Sequence, residues 1–582
     1  MNLSENALKV LRTRYLLRDE QGIIKETPEE MFHRVANAVA SAEFIYGGSA
    51  EEWGAKFYDA MSNLLFLPNT PTLINAGKNL GQLAACFVLP VDDSMMSIFD
   101  SLKNAALILQ SGGGTGFSFS HLRPRADVVK STGGIASGPV SFMKIYNTAT
   151  EVIKQGGARR GANMGILRID HPDILEFIKI KQHAEELLNF NISVAVTDVF
   201  MEALKNNTEY ALLNPRSNNI TGHLKAKDVF SEIVESAWET GDPGLVFIDR
   251  INRDNPTPQL GKIESTNPCG EQPLLPYEAC VLGSINLAKM VKEGRRQPST
   301  LSPRPLAFEI DWDLLSSLVH LGVRFLDNTI DVNKYPVPEI EKMHKGNRKI
   351  GLGVMGWADL LIKLGIRYNS SKAYKLAREV MSFIRNHARN ASSELAKQRG
   401  VFPNFKGSIY DTPEFSLKDG LRNATTTTIA PTGTLSLIAD CSSGIEPLFA
   451  IAYKRLVLET ELYETHPYFI EIANQMGFYS PELIKRVSKK GSLRGFKEIP
   501  HNVKRLFVTS HEISPEAHIE VQAAFQEYTD NAVSKTINLK HRATRDDVAS
   551  AFLLAYEKGC KGITVFRYGS KTGTLVKLDE VD

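Results

Sequence analysis

Asn267, Cys269 and Glu271 stand at alternate positions in the stretch STNPCGEQPL, with Pro268 and Gly270 between them. In an extended finger, residues two apart point to the same side, so an amide, a thiol and a carboxylate can converge on one substrate. A carboxylate beside a thiol disfavours the thiolate, because like charges repel. The trio therefore suits a neutral thiol or a sulfur radical better than a papain-like nucleophile. A buried inert side chain is the commoner fate of a lone cysteine, and these residues by themselves leave that alternative open.

Three further stretches have the composition of ligand loops. GGGTGFSFSHLRPR, residues 112–125, lets a backbone approach a ligand closely, yet it has neither the Lys-Ser/Thr ending of a P-loop nor the full dinucleotide spacing, and a tight structural turn is an equal alternative. KQGGARRGANMG, residues 154–165, joins four glycines to two arginines, which suits a loop meeting an anion or a stacked base; a solvated loop is the plain alternative. APTGTLSLIAD, residues 430–440, runs from the strand-like TTTTI into a helix-like stretch. Thr432, Gly433 and Thr434 there can present hydroxyls and backbone N–H groups at a helix start, or simply cap it.

The elements that must position these residues read as a large α/β unit. Residues 1–75 place apolar side chains at three- and four-residue spacing and are expected to form an N-terminal helical domain. From 76 to 582, short apolar runs (AACFVLPV, NISVAV, GLVFI, TTTTIAP, LFVTS, GITVF) alternate with amphipathic stretches such as DLLSSLVHLGVRFLDNTI, which favours an α/β sheet or barrel. Residues 292–309 are basic and rich in Pro and Ser, the mark of an exposed loop. Residues 451–505 turn to charged helices and read as an excursion from the barrel.

Composition narrows the partners. A formal charge of +2 over 582 residues, with 23% charged and 43% hydrophobic side chains, gives no electrostatic case for nucleic acid or an anionic membrane as main partner. The N-terminus lacks the apolar core of a signal peptide, and no apolar run of about 18 residues occurs, so a cytoplasmic protein is expected. Five cysteines are too few for a stapling framework, and none shows metal-ligand spacing.

STNPCGEQPLLPYEACVLGSINLA resembles the finger-loop signature of ribonucleotide reductase catalytic chains, especially the adenosylcobalamin-dependent class II. The similarity extends over nearly the whole chain. PNTPTLINAG, AACFVLPV, GGGTGFSFSHLRP, ASGPVSFM, KQGGARRGANMGIL, GDPGLVFI, IGLGVMGWADLL, TIAPTGTLSLIADCSSGIEP and GITVFRYGS follow in family order.

The resemblance implies a ten-stranded α/β barrel of two antiparallel five-stranded halves, with Cys269 on a central finger loop. It implies that Cys269 becomes a thiyl radical that removes the ribose 3′-hydrogen, that Glu271 is the base on the 3′-hydroxyl, and that Asn267 holds the ribose. Cys86 and Cys280 match the pair that delivers two electrons and ends as a disulfide; Cys441 and Cys560 read as structural. Substrate contacts fall on Thr70, Ala85, Gly114 and the stretch Pro431, Thr432, Gly433, Thr434 and Leu435. Asp93, Ser94, Met95, Arg123 and Lys130 match a site for deoxynucleoside triphosphate effectors. Gly156, Gly157, Arg159, Arg160 and Asn163 match the loop that reports effector identity to the substrate.

Adenosylcobalamin, Mg2+ accompanying the phosphates, a dithiol reductant such as thioredoxin, and a homodimer are the expected cofactors and partners. The chain opens without the ATP-binding helical module of many relatives, so no on/off activity site is expected. Near its end it has neither a glycyl-radical motif, nor the paired tyrosines of class I, nor a terminal cysteine pair, so either the chain is truncated or an external reductant acts directly. Two alternatives remain from the sequence: a class I large subunit fed by a separate radical-generating chain, and a nucleotide-binding protein without turnover on the same fold.

Overall fold

A computed structural model describes residues 1, 3–129, 133–153, 162–182, 186–293, 308–415, 417–457 and 460–570. The N-terminal layer consists of α1 (Glu5–Arg14), α2 (Pro28–Ala40) and α3 (Ala50–Ser62). Each begins where the sequence supplies an oxygen for an orphan N–H. Ser4 accepts from Ala7, Thr27 and Glu30 close a reciprocal capping box, and Ser49 accepts from Glu52. Met31, Phe32, Val35 and Val39 of α2 and Phe57 and Met61 of α3 are buried in the main core. A strand, Phe66–Pro68, and the short α4 (Thr70–Asn75) lead into the barrel.

Five parallel strands form the first half-barrel: β1 (Cys86–Leu89), β2 (Gly114–Ser118), β3 (Asn163–Arg168), β4 (Phe190–Val196) and β5 (Gly244–Phe247). Helices α5 (Met95–Gln110) and α6 (Pro139–Val152) make its first crossovers. The second half starts with β6 (Ala279–Asn286) parallel to β7 (Ile350–Met355), with α7 (Trp312–Val332) between them in the chain and α8 (Ser371–Arg399) after β7. It continues through the segment 425–429, bridged to Leu352 and to Val533, and ends in β8 (Thr536–Leu539) parallel to β9 (Gly562–Arg567). The halves meet antiparallel at β1/β6 and at β5/β9, which gives the expected ten-stranded barrel. Strands covered on both faces read as near-continuous apolar runs, as NISVAV does.

Two expected strands differ. TTTTIAP makes single bridges to Leu352 and Val533, with backbone bonds to both sides (Thr428 N–H to the Leu352 carbonyl, Ile429 N–H to the Ala532 carbonyl), and its threonines add side-chain bonds: Thr426 Oγ1 donates to Asp530, Thr427 Oγ1 accepts from the Asp530 N–H, and Thr428 Oγ1 donates to the Glu271 carbonyl. LFVTS is no strand; Leu506 ends a helix, and Thr509 and Glu512 close a capping box that turns the chain. Residues 451–505 carry a hairpin (Ala452–Val457, Thr460–Thr465), whose strands pair with each other, and the helices Pro467–Gln475 and Pro481–Lys490. No helix among the described residues is long and apolar enough to cross a membrane.

Candidate active site

The finger enters the barrel as a minimal hairpin, with Thr266 opposite Pro273. Its tip is a turn, not the extended strand that alternate spacing suggests. Gly270 sits at φ +80° and its N–H donates to the Asn267 carbonyl at 3.0 Å. Asn267 braces the turn: its N–H donates to the Gln272 carbonyl at 3.1 Å and its Oδ1 accepts the Gln272 N–H at 3.0 Å. That leaves Nδ2 to donate to Cys86 Sγ at 3.2 Å. Around the tip, the Pro268 carbonyl accepts from Asn191 Nδ2 (2.8 Å), and the Glu271 carbonyl accepts from the Ala532 N–H (3.0 Å) and the Thr428 hydroxyl (2.9 Å). The finger lies against β2 so closely that a Cβ on Gly116 would sit 1.8 Å from the Thr266 carbonyl oxygen.

Cys269 is exposed at the tip, between two cavities, and lines both. The first, about 280 Å³, also holds Asn69, Thr70, Cys86, Asn267, Glu271 and the loop 430–435 in its wall. The second, about 460 Å³, is lined by Ser193, Gln522, Asn538, Thr564 and Phe566 among others.

Cys86 and Cys280 are directly opposite one another on antiparallel β1 and β6. Opposed residues in such a pair have Cβ atoms about 5 Å apart, close to disulfide reach. Burial pushes both thiols well above their ordinary value; the negative charge of Glu271 adds to this at Cys86, while the Lys349 ammonium opposes it at Cys280. Both are therefore neutral thiols at pH 7 and can give up hydrogen atoms or protons. Cys441 and Cys560 line neither cavity, and burial raises both thiols, that of Cys560 to about 12.

The other expected substrate residues come together in the smaller cavity: Thr70, Ala85, Gly114 and Pro431 to Leu435 all line it. Thr432 adopts φ +54° at the start of α9 (Gly433–Ala439), and its hydroxyl accepts from the Gly444 N–H at 2.7 Å instead of capping the helix. The expected effector residues also cluster. Arg123 Nε donates to Asp93 Oδ2 at 2.8 Å, Ser94 caps α5, and Met95 is exposed beside them. Lys130, Gly156, Gly157, Arg159 and Arg160 lie outside the described residues. Asn163, expected in the specificity loop, instead opens β3 and is buried, with its amide between Thr115 and Thr150 hydroxyls.

Sequence reasoning missed three residues. Asn69 and Gln522 line the two cavities, and each has one buried amide atom, Nδ2 and Oε1, with no partner among the described residues. Arg216 approaches Asp93 and Asp127. Asn69 sits inside the block PNTPTLINAG and was legible there; Gln522 and Arg216 are brought in by the fold from unremarkable helix and loop stretches.

A ten-stranded α/β barrel that carries one thiol to its centre on a finger, facing a cross-strand pair of thiols, defines a barrel oxidoreductase built on thiol chemistry. Residues 84–566 match the model of the ribonucleotide reductase barrel domain and residues 1–81 that of the ribonucleotide reductase all-alpha domain, so the chain belongs to the ribonucleotide reductase family. It is 49% identical to a vitamin B12-dependent ribonucleoside-diphosphate reductase of Thermoplasma acidophilum, covering 98% of this chain and 80% of that one. A protein of the same description from Mycobacterium tuberculosis is 48% identical, covering 99% of this chain and 81% of that one. The alpha subunit of the Actinobacillus ureae class Id ribonucleotide reductase superposes with a TM-score of 0.76 at 24% identity over 97% of both chains, a likeness of fold.

Proposed function

We propose that Cys269 is the reactive sulfur with which this chain reduces ribonucleoside diphosphates to 2′-deoxyribonucleotides, with adenosylcobalamin as radical source. The observation that carries the assignment is the placing of Cys269 in the walls of both cavities, with Cys86 and Cys280 in register on the smaller one's side. The two nearly half-identical relatives named as vitamin B12-dependent support the cofactor.

The substrate ribose takes the smaller cavity. A sulfur radical on Cys269 removes the 3′-hydrogen, and Glu271 receives the 3′-hydroxyl proton. The 2′-hydroxyl then leaves as water. The two protons and two electrons this requires come from the Cys86 and Cys280 thiols, which end as a disulfide, and Cys269 returns the 3′-hydrogen. A dithiol reductant restores the pair by exchange. Neutral thiols fit this role better than thiolates, because each must give a hydrogen.

The larger cavity suits the adenosyl part of the cofactor: Ser193, Gln522, Asn538 and Thr564 in its wall offer hydroxyl and amide groups. When bound, adenosylcobalamin supplies a carbon radical by homolysis of its cobalt–carbon bond. Phe566 lines this cavity, whereas Tyr568 packs edge-on against His511, so among the described residues no adjacent tyrosine pair on this strand leads to Cys269.

Deoxynucleoside triphosphates, with Mg2+ on their phosphates, act at Asp93, Ser94, Met95, Arg123 and Lys130, and Arg159 and Arg160 relay their identity. Exposed Met96, Phe99 and Ile145 on α5 and α6 support a homodimer through these helices. Thioredoxin is the reductant, and the enzyme works in the cytoplasm.

The chain alone, given a ribonucleoside diphosphate, adenosylcobalamin and dithiothreitol, should form deoxynucleotide over many turnovers and release the cofactor's 5′-hydrogens to solvent. Activity that appears only with a metal-containing second protein, and ignores the cobalamin, would transfer the chain to the class I reading.

A further inference from the structure

Four residues stand in a row across four neighbouring strands. Cys86 on β1 is opposite Gly114 on β2 to one side and Cys280 on β6 to the other. The β6/β7 register, with Val281 opposite Ile350, carries the row on to Lys349, whose carbonyl accepts from Cys280 Sγ at 3.5 Å. Side chains level with one another on adjacent strands share a face. The row therefore reads no side chain, thiol, thiol, ammonium.

The two ends of the row differ. Gly114 and Cys86 line the smaller cavity and Cys280 does not, and that wall contains no lysine or arginine among the described residues. At the other end Lys349 Nζ pairs with Glu278 Oε2 at 2.7 Å, both side chains fully buried. Glu278 also accepts from the Leu275 N–H at 2.8 Å and from Asn347 Nδ2 at 2.6 Å. Apolar side chains of the same volume are often as stable as a buried ion pair or more so, and folding stability is a weak account of this one. Substrate reduction as described above uses neither residue. Burial raises both thiols most; against it, the Lys349 ammonium lowers Cys280 more than Glu278 raises it, whereas Glu271 and the neighbouring thiols all raise Cys86.

Thiol exchange treats the two sulfurs of a disulfide differently: one is attacked, and the other leaves with the bonding electron pair. The attacked sulfur must be within reach of the incoming thiolate. The leaving sulfur takes up negative charge, which a nearby cation favours.

We propose that Lys349 is a positioning residue that fixes the direction of this exchange, with Cys86 attacked from the cavity and Cys280 leaving. The inference rests on the reducing-pair reading above and extends it to the step that reopens the disulfide. A thiolate of the dithiol reductant bonds to Cys86 Sγ, the bond between Cys86 and Cys280 breaks, and its electron pair goes to Cys280 Sγ beside Lys349. The reductant's second thiol then attacks the reductant sulfur held on Cys86, which frees Cys86 and leaves the reductant as a disulfide. The two protons given up by the dithiol return Cys86 and Cys280 to thiols.

The test uses the full chain in a Cys269→Ser background, so that the exposed thiol cannot enter the exchange. Diamide closes the pair, and peptide mapping without reductant verifies the bond; Cys86 and Cys280 failing to join would overturn the reducing-pair reading itself, and this inference with it. Cysteamine, a monothiol that cannot complete the second step, is then added, and acid-quenched samples are read by peptide mass spectrometry. We expect the first adduct on Cys86 over Cys280 by at least ~10-fold. Lys349→Met with Glu278→Gln removes both charges together and leaves neither unpaired. This double variant should open about 10-fold more slowly and spread the adduct over both cysteines. Lys349→Arg keeps the charge and should hold the parent's preference within about 3-fold, which a merely structural role would not require. An adduct mainly on Cys280 in the parent chain, a result that depends on no variant, would overturn the direction. Rate and preference unchanged in a folded double variant would remove Lys349 from the step.

Discussion

At the scale of single residues, the five thiols share a chain but not a chemistry, and their surroundings sort them. Cys269 is exposed at the finger tip, whereas Cys86, Cys280 and Cys560 are buried. Burial raises the pKa of these three, so the reactive thiolate is scarce in each. Iodoacetamide at pH 8, followed by peptide mass spectrometry, should label Cys269 at least ~10-fold faster than these three. Labelling Cys86 as fast as Cys269 would mean that the cavity is open in a way its burial contradicts. The same sorting predicts different failures. Cys269→Ser should abolish deoxynucleotide formation, because an O–H bond is too strong for the radical source. Cys86→Ser should still exchange or damage substrate, because in the proposed mechanism Cys86 acts after the 3′-hydrogen is removed. A Cys86→Ser variant that completed many clean turnovers would remove Cys86 from the reducing pair.

At the scale of elements, the finger depends on a surface that admits it. Gly116 on β2 has no room for a methyl group against the Thr266 carbonyl, so Gly116→Ala must push the finger away from the strand or break the pairing of Thr266 with Pro273. A displacement near 1 Å at a reacting atom costs about 100-fold in rate. We expect kcat to fall about that far while nucleotide binding stays within a few-fold, checked by initial rates and equilibrium binding on the same preparation. Wild-type kcat in Gly116→Ala would show that the finger is positioned by its other contacts, those of Asn191, Thr428 and Ala532. Much of this was legible in sequence, and the exceptions have physical causes. Buried parallel strands such as β4 announce themselves by unbroken β-branched runs, and α7 by its apolar periodicity. The convergence of Asn267, Cys269 and Glu271 was legible as a fact but not in its cause. Alternation suggested a strand, whereas the turn at Gly270 and the two bonds between Asn267 and Gln272 set the geometry. Gln522 and Arg216 were not legible, because nothing local distinguishes a residue that the fold later turns towards a cavity.

At the scale of the whole molecule, the helical layer and the barrel are joined by buried charge. Glu43, in the turn Ser41–Tyr46 after α2, accepts from Arg324 and from Arg399, and Arg399 also pairs with Asp327 at 2.9 Å; Glu43, Arg399 and Asp327 side chains are fully buried. Arg348 bonds Asp327 and Asp331, and Tyr46 donates to Asp331, which returns the network to the helical layer. Burial alone would raise the pKa of Asp327, but Arg348, Arg422 and Arg399 together outweigh it and bring it down to about 2. A carboxyl depressed in the folded chain contributes stability that is fully present above its unfolded pKa near 3.8 and is lost as pH falls through about 2. The shift corresponds to about 2 kcal/mol at pH 7. Asp327→Asn leaves the arginines buried without their counter-charge, and removing one partner of such a network typically costs about 3–5 kcal/mol. The variant should therefore unfold several degrees earlier at pH 7, and between pH 4 and pH 2 its unfolding free energy should change less steeply with pH than that of the parent chain. Parallel pH profiles in denaturant titrations would show that Asp327 does not titrate with folding, and the joint between the helical layer and the barrel would then rest on Glu43 and the apolar packing around it.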